Sequence, residues 1–367
     1  MNLSAIRGIK LAAVFTIAAI ALAIGCNNIA GPDTGDIVPL SWHIETVDTE
    51  AAGSTGKFCS LELDSSGFPH IAYLRQTGGD LMYARWTGTA WMIEEVDTVG
   101  SFDYGISLAL DSENHPHISY SRYDVHELRY SCWNGASWDT ETLISNGFPK
   151  REIFISVDSM DHPYISYNDS GDDGVHCAYH NGVSWTFKLV DSGNMTSIAI
   201  GSNDRPHISY MNSDEDLGYA RWMGNSWDLQ PIDSLSYTCW HNCITLDVND
   251  YPHIVYTSYD FGLLEPDDLK YAYWDGSSWY VEGIDTDADW PSIALDTEGR
   301  PRISYWDPLK WDLKYARWDG VAWIVQRIDT VGMVGQYTSI ALDDKDHPHI
   351  SYYDMTNGDL KYARYGE

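Results

Sequence analysis

Basic residues are scarce in this 367-residue chain, which has 22 Lys and Arg against 54 Asp and Glu and a formal net charge of −32. Binding to nucleic acid depends on basic side chains that neutralise phosphates, so this composition disfavours a nucleic-acid partner. Only 21% of the residues are charged, whereas 13% are aromatic. Disordered acidic chains are poor in aromatic residues, so the composition predicts a folded protein.

Cysteine is also scarce. The sequence has no Cys-x-x-Cys pair and no Cys/His metal spacing, and its Asp-rich turns lack the alternating ligands and distal Glu of a calcium loop. We therefore predict no metal site and no cofactor. Apart from Cys26 there are five cysteines: Cys59, Cys132, Cys177, Cys239 and Cys243. Because five is odd, at least one thiol is free unless it pairs with another chain, and a bridge between Cys239 and Cys243 is left open.

The most prominent apolar run, residues 11–24, is short for a membrane span. It follows Arg7 and Lys10 and ends at Gly25, the layout of a secretory signal. Residues 22–26 (Leu-Ala-Ile-Gly-Cys) resemble a bacterial lipoprotein signal, although the Leu lies one place further from Cys26 than usual. The alternatives are an ordinary signal peptide and an uncleaved anchor.

The lipoprotein resemblance implies that Cys26 is lipidated and becomes the mature N-terminus. We expect a signal peptide over residues 1–25, a flexible tether over 26–39 and a single folded domain over 40–367. The protein is then exported and anchored in the bacterial cell envelope, at the outer membrane or the cell surface.

Internal repetition is the dominant pattern of the chain. A unit of the form Pro-His-Ile-Ser-Tyr recurs at spacings of 43 to 49 residues. Repeats of this length, rich in β-branched and aromatic residues, predict an all-β fold, a seven-bladed β-propeller of four-stranded antiparallel blades. We number the repeats 1 to 7 by their prolines: Pro69, Pro116, Pro163, Pro206, Pro252, Pro301 and Pro348.

Each repeat divides into four predicted strands. The first alternates small and large residues, as over residues 339–343, which is expected near a crowded axis. A tight turn ending in Gly, Asn or Asp, residues that tolerate a left-handed backbone, precedes the second strand. Repeat 7 stops before its fourth strand, whereas residues 42–49 form an orphan fourth strand. We therefore expect the N-terminal strand to close the last blade and remove the open sheet edges.

Residues that recur in every repeat are most simply scaffold, whereas loop residues that break the pattern are candidates for function. A histidine shared by five repeats (His70, His117, His207, His253 and His349) and an arginine shared by four (Arg85, Arg221, Arg317 and Arg364) are therefore interpreted as structural. Twelve of the 16 tryptophans lie in hairpins and are expected to pack between blades. The other four lie in loops predicted on one face: Trp240, Trp290, Trp306 and Trp311.

One position just before each first strand should rim the central opening, and it is mostly aromatic. Aromatic rings stack on the apolar faces of sugars and carboxylates bind their hydroxyls, so this rim suits a sugar. The alternative is that the aromatic residues plug the channel. No catalytic residue is assigned, and the candidate ligand-binding residues are Phe58, Tyr104, Glu152, Trp240, His241, Asp289, Trp290, Trp306, Trp311 and Tyr337.

From Cys59 to Glu367, the repeats built on Asp-x-x-Gly-x-Pro-His-Ile-Ser-Tyr and Leu-Lys-Tyr-Ala-Arg-Trp-Asp-Gly resemble the sialidase-related (BNR-like) propeller repeats of exported bacterial proteins. The resemblance implies the fold rather than an activity. The Ser-x-Asp-x-Gly-x-x-Trp box of sialidases is absent from every repeat, and the sialidase arginine triad cannot be placed. Some polysaccharide lyases with similar propellers use His, Tyr and Arg on the central face, where His241, Tyr337 and Tyr104 are available.

Three functions remain open. The favoured one is an envelope-tethered, non-catalytic propeller that binds a carbohydrate or protein ligand at the loop face around the central opening. The alternatives are a glycan-active enzyme, lyase or glycosidase-like, with His241 and Glu152 as acid and base, and a structural or assembly lipoprotein. The expected partners are a glycan or an envelope protein, with membrane contact through Cys26, and the chain is expected to be a monomer. Its net charge disfavours a strongly anionic ligand unless metal ions bridge it.

Overall fold

The computed structural model describes residues 40–49, 54–98, 105–122, 124–145, 149–169, 171–234, 238–259 and 268–366, with backbone only at 149–151 and 238. The predicted signal segment, the tether with Cys26, and Tyr104 lie outside these residues. Every regular secondary-structure element of the described residues is a β-strand. The described residues contain no helix with the length and hydrophobicity of a membrane span.

The strands follow the repeats closely, and the second strand begins at the repeat proline each time. In chain order they are β1 (Ser41–Asp48), β2 (Thr55–Leu63), β3 (Pro69–Arg75), β4 (Asp80–Trp86), β5 (Trp91–Thr98), β6 (Ile106–Leu110), β7 (Pro116–Arg122), β8 (Glu127–Trp133), β9 (Trp138–Ile144), β10 (Pro149–Val157), β11 (Pro163–Asp169), β12 (Gly174–His180), β13 (Trp185–Ile200), β14 (Pro206–Asn212), β15 (Leu217–Trp222), β16 (Trp227–Asp233), β17 (Thr238–Leu246), β18 (Pro252–Tyr259), β19 (Asp268–Trp274), β20 (Trp279–Asp285), β21 (Asp289–Leu295), β22 (Pro301–Asp307), β23 (Asp312–Trp318), β24 (Trp323–Asp329), β25 (Val334–Leu342), β26 (Pro348–Asp354) and β27 (Asp359–Gly366).

These strands form antiparallel sheets. Five sheets have four strands each: β2 to β5, β6 to β9, β17 to β20, β21 to β24, and β25, β26, β27 and β1. The sixth has seven strands, β10 to β16, because the long β13 pairs with β12 through its first half and with β14 through its second half. Repeated four-stranded antiparallel sheets without helices fit a β-propeller.

The N-terminal strand joins the C-terminal sheet. It pairs antiparallel with β27, from Ser41 opposite Gly366 to Asp48 opposite Leu360, one residue earlier than the sequence pattern indicated. The Trp42 ring packs edge-on against Tyr315 of repeat 6, with 5.4 Å between centroids. The Asp48 carboxylate in turn accepts a 2.7 Å hydrogen bond from the hydroxyl of Tyr73 in repeat 1. This strand therefore connects the last sheet to both of its neighbours.

The turns before the second strands use a left-handed backbone at their last position, as predicted; φ is 63° at Asn114 and 62° at Asp346. The carboxylate at this position also reaches the preceding repeat, where Asp161 Oδ1 accepts a 2.8 Å bond from the backbone N–H of Ser112. The acidic turns thus link neighbouring repeats. Within the described ranges, no group of three His, Cys, Asp or Glu side chains is placed to hold a metal ion.

The hydrophobic core is divided into clusters that lie between consecutive repeats. As predicted, tryptophans of the hairpins pack there; the indole of Trp138 lies edge-on against Tyr83 of the preceding repeat at 5.2 Å. The recurrent histidines are buried, and His117 Nδ1 lies 2.6 Å from the Tyr130 hydroxyl. Both residue types therefore serve the scaffold.

The five cysteines of the described ranges are free thiols. The bridge between Cys239 and Cys243 that the sequence left open does not form. A β-bulge between Cys239 and Asn242 interrupts the alternation of side chains along β17. Cys239 consequently packs between repeats 4 and 5, and Cys243 packs between repeats 5 and 6. Burial raises the pKa of both thiols.

Candidate functional site

Most of the rim residues, predicted to lie just before the first strands, lie instead within bulges of those strands; Gly105 does precede its strand, β6. In repeat 6, Asp289 pairs with Trp306 and Ser292 with Ser304, so Trp290 and Pro291 together face one residue of β22. Such a bulge redirects side chains. The backbone is left-handed at three bulky rim residues, with φ of 54° at Phe58, 46° at Trp290 and 57° at Tyr337. Left-handed conformations are unfavourable for such residues, and they concentrate at ligand sites.

The bulged residues surround a cavity of about 370 Å³ where the first strands converge. Six repeats contribute the predicted rim position to its lining; Met195 of repeat 4 is not part of it. We call this space the central cavity, and its rim residues are Phe58, Gly105, Glu152, His241, Trp290 and Tyr337.

One side of the central cavity is a continuous aromatic wall. The ring centroids of Phe58 and Tyr337 lie 4.3 Å apart, and those of Tyr337 and Trp290 lie 4.4 Å apart. Trp306 supports Trp290 at 5.3 Å, and Tyr353 lies 6.2 Å from Tyr337. Because each ring contacts the next, the wall is formed before any ligand arrives.

The rim also carries a histidine between two carboxylates. His241 Nδ1 lies 2.6 Å from Asp289 Oδ1, and a carboxylate oxygen accepts, so Nδ1 carries the proton. Asp289 Oδ1 also accepts the backbone N–H of Trp290 at 2.9 Å. On the other side, His241 Nε2 lies 3.5 Å from Oε1 of the buried Glu152. This arrangement offers hydroxyl-binding groups and an oriented imidazole.

Below the rim lies a set of serines, not among the predicted site residues, that recurs two residues after the rim position. The Ser60 hydroxyl accepts the backbone N–H of Leu108 at 3.0 Å, and Ser339 accepts that of Leu61 at the same distance. These bonds join first strands of adjacent repeats beside the cavity. The recurrence of Ser60, Ser107, Ser197, Ser292 and Ser339 was the available signal.

Glu62 adds one carboxyl group to the central channel. It follows Ser60, which lines the cavity, by two residues of β2 and therefore faces the same side. The other repeats have Ala, Ser or Thr at this position. Its side chain is exposed to solvent in the channel, but the surrounding protein limits its hydration, and this desolvation raises the pKa of Glu62 to about 7.

The structure separates the remaining candidates from the cavity lining. Trp240 lies beside His241, with 6.4 Å between ring centroids. Trp306 is buried behind Trp290, and Trp311 is 46% exposed in the turn between β22 and β23. These three tryptophans differ only in their contacts and exposure in the folded protein, so the sequence alone places them in one group.

No family model matches the chain, and no curated protein matches it. Solved structures do resemble it. A protein of unknown function from Dyadobacter fermentans has 12% identity and a TM-score of 0.55, covering 88% of this chain and 97% of that chain. Hydrazine synthase from Kuenenia stuttgartiensis has 10% identity and a TM-score of 0.62, covering 86% and 97%.

A third similar structure is the fungal lectin from Aleuria aurantia, described as a six-bladed β-propeller with fucose recognition. It has 16% identity and a TM-score of 0.53, covering 78% of this chain and 98% of that chain. At such identities the similarity shows the fold alone. The protein is a β-propeller.

Proposed function

We propose that the described residues form a seven-bladed β-propeller of the sialidase-related repeat type, closed by β1. Division of the seven-stranded sheet within β13 gives one blade for each repeat. Each of the hydrophobic clusters joins two consecutive repeats, and one joins repeat 7 to repeat 1 through Leu360 and Leu61. The hydrogen bond between Leu61 and Ser339 spans the same junction.

The central cavity of this propeller binds a carbohydrate without transforming it. The observation that carries this proposal is the aromatic wall of Phe58, Tyr337 and Trp290 beside the carboxylates of Glu152 and Asp289. An apolar sugar face packs on such rings while hydroxyl groups donate to carboxylates. The fold also has precedent as a sugar-binding scaffold in the fungal lectin, whose description names fucose recognition.

The rim charge favours a neutral or amino sugar. The carboxyl groups of Glu152 and Asp289 both contact His241, and the chain has a formal charge of −32. A carboxylated or sulfated sugar at this rim would meet like charge in a poorly screened cavity.

A glycan-active enzyme is the second candidate, favoured by the imidazole of His241. Asp289 orients its Nδ1–H, so Nε2 points toward Glu152 and is positioned as an acid or base. The 3.5 Å gap between Nε2 and Glu152 leaves room for rearrangement when a ligand binds. A structural or assembly role is the outcome if no glycan binds and the aromatic wall only fills the channel.

Anchoring through a lipid on Cys26 and location in the outer membrane or at the cell surface complete the proposal. The lipoprotein-like signal at residues 22–26 supports it. Incorporation of labelled palmitate in a bacterial host, lost in Cys26→Ser, tests the anchor. Labelling equal in both chains would exclude it.

A glycan array and a panel of neutral polysaccharides, screened with the full chain in detergent, test the binding proposal. Loss of binding in Trp290→Ala and Glu152→Gln, with binding retained in Trp311→Ala, is the expected result, since Trp311 lies outside the lining. Absence of binding to every glycan would refute it. Chromatography of the incubated polysaccharides for shortened products separates the lectin from the enzyme.

A further inference from the structure

A second cavity lies between repeats 4 and 5, away from the central one. It has a volume of about 230 Å³. Repeat 4 contributes Arg205, His207 and Arg221, and repeat 5 contributes the indoles of Trp274 and Trp279. We call it the repeat-4 cavity. Its counterpart between repeats 7 and 1 is lined by the equivalent side chains His349, Arg364, Trp86 and Trp91.

The repeat-4 cavity lacks a carboxylate that the other repeats possess. The first turn residue is Asp in six repeats and Gly201 in repeat 4. Where the residue before the repeat proline is basic, this Asp binds it: in repeat 6, Arg300 Nε lies 2.9 Å from Asp296 Oδ2. The corresponding Arg205 forms no ion pair with a described residue.

Without this carboxylate, the Nε2 atom of His207 also lacks a partner. His117 Nε2 in repeat 2 lies 3.6 Å from Asp111, whereas the buried Nε2 of His207 has no hydrogen-bond partner among the described residues. A Cβ added at Gly201 would lie 3.2 Å from that nitrogen. Burial, reinforced by Arg221, lowers the pKa of His207 to about 4. The imidazole is therefore neutral, and the positive charge of this cavity is that of the arginines.

The other positions near the repeat-4 cavity that could supply a carboxylate either carry a neutral residue or already form hydrogen bonds or ion pairs. Gln230 stands where the cavity between repeats 7 and 1 has Glu45. Both carboxylate oxygens of Asp250 accept bonds from Ser202, each 2.7 Å long. Asp228 reaches Arg221 only at 3.6 Å, with both side chains substantially exposed. Two arginine side chains consequently line one cavity of a strongly acidic protein.

We propose that the repeat-4 cavity binds the carboxylate of a ring-sized acid, of the hexuronate class, through Arg205 and Arg221. Guanidinium groups match a carboxylate in geometry as well as charge. The ligand carboxylate takes the role that Asp296 fills for Arg300 in repeat 6. The cavity accommodates one sugar-sized ring beside the indoles of Trp274 and Trp279. A single negative charge meets less repulsion from the acidic surface than a dianion such as phosphate.

Calorimetric titration of the full chain with D-glucuronate, at low ionic strength, tests this proposal, with D-glucose and inorganic phosphate as comparison ligands. Glucuronate is expected to bind about tenfold or more tightly than either, as charge-assisted hydrogen bonds allow. In Gly201→Asp, the new carboxylate pairs with Arg205 as Asp296 pairs with Arg300. Glucuronate affinity is therefore expected to fall at least about tenfold, while the thermal midpoint is maintained or rises. Arg205→Gln gives the same loss of affinity.

Two control variants separate this site from others. Arg300→Gln, at the matched position of repeat 6, leaves glucuronate affinity unchanged because its guanidinium is already paired. Trp290→Ala leaves it unchanged because that indole belongs to the central cavity. The proposal is overturned if glucuronate binds no more tightly than glucose or phosphate, or if its affinity is the same in wild type, Gly201→Asp and Arg205→Gln.

Discussion

Replacement of Asp329 by Ala is expected to destabilise the fold by about 3 kcal/mol. Asp329 belongs to repeat 6 and accepts a 2.8 Å hydrogen bond from the buried hydroxyl of Tyr352 in repeat 7. The same Oδ2 contacts the ammonium of Lys361. Removal of the carboxylate leaves the Tyr352 hydroxyl without an acceptor, at a cost of about 1–3 kcal/mol. Lys361 loses its closer ion-pair partner but keeps Asp354, 3.9 Å away, and the Tyr352 ring, so the lost ion pair adds about 1 kcal/mol.

Asp191→Ala provides the matched comparison. Asp191 accepts a 2.7 Å bond from Tyr210, but Gly218 occupies the position of Lys361, so no ammonium is involved. Its loss is expected to cost about 1–2 kcal/mol, that of one buried hydrogen bond. Urea unfolding followed by tryptophan fluorescence measures both changes through the midpoint. Equal midpoints for wild type and Asp329→Ala, or a larger effect of Asp191→Ala, would refute the assignment.

The effect also depends on pH in a defined direction. Although burial opposes ionisation, hydrogen bonds from Lys361 and Tyr352 lower the pKa of Asp329 below its ordinary 3.8. Its stabilising contribution is therefore present above about pH 4 and is lost as the pH falls through the lower folded-state value. The difference between wild type and Asp329→Ala should narrow at about pH 3.

Three further predictions concern other parts of the propeller. Because desolvation raises the pKa of Glu62 to about 7, the stability that its protonated form contributes is present at low pH and is lost as the pH rises through 7. Glu62→Gln should therefore increase the thermal midpoint more at pH 8 than at pH 5.5, and an equal increase at both pH values would contradict the raised pKa. Deletion of residues 1–49 removes β1 and exposes the edge of β27, so light scattering should detect self-association of the shortened chain. A monomer of unchanged stability would argue against closure of the last blade by β1. Denaturation without reductant should release all five thiols of the described ranges to a thiol reagent, and fewer would indicate a disulfide: Cys59, Cys132, Cys177, Cys239 and Cys243.

The strands and turns could be predicted because their signals are local. The repeat proline, the left-handed turn residue and the alternation of small and large side chains each depend on neighbours along the chain. The structure places the second strands at those prolines and gives Asn114 and Asp346 positive φ. Packing of the hairpin tryptophans could be predicted as well, since recurrence in every repeat implies contact between identical units.

The bulges could not be predicted in this way. Nothing in residues 287–292 shows that Trp290 and Pro291 face a single residue of the neighbouring strand, so the segment was interpreted as a loop. For the same reason, the sequence alone leaves Cys239 and Cys243, four residues apart, as a possible disulfide pair. An inserted residue changes which side of the sheet every following side chain occupies.

By itself the sequence determined the repeat count, the strand order, the turn chemistry and the acidic surface, because each is encoded in residues close together in the chain. Tertiary structure alone decided that Trp290 lines the central cavity while Trp306 supports it and Trp311 lies outside. It also decided that the absence of a side chain at Gly201 leaves Arg205 without its carboxylate. These properties depend on distances between repeats, which are fixed only when the strands pack around a common axis.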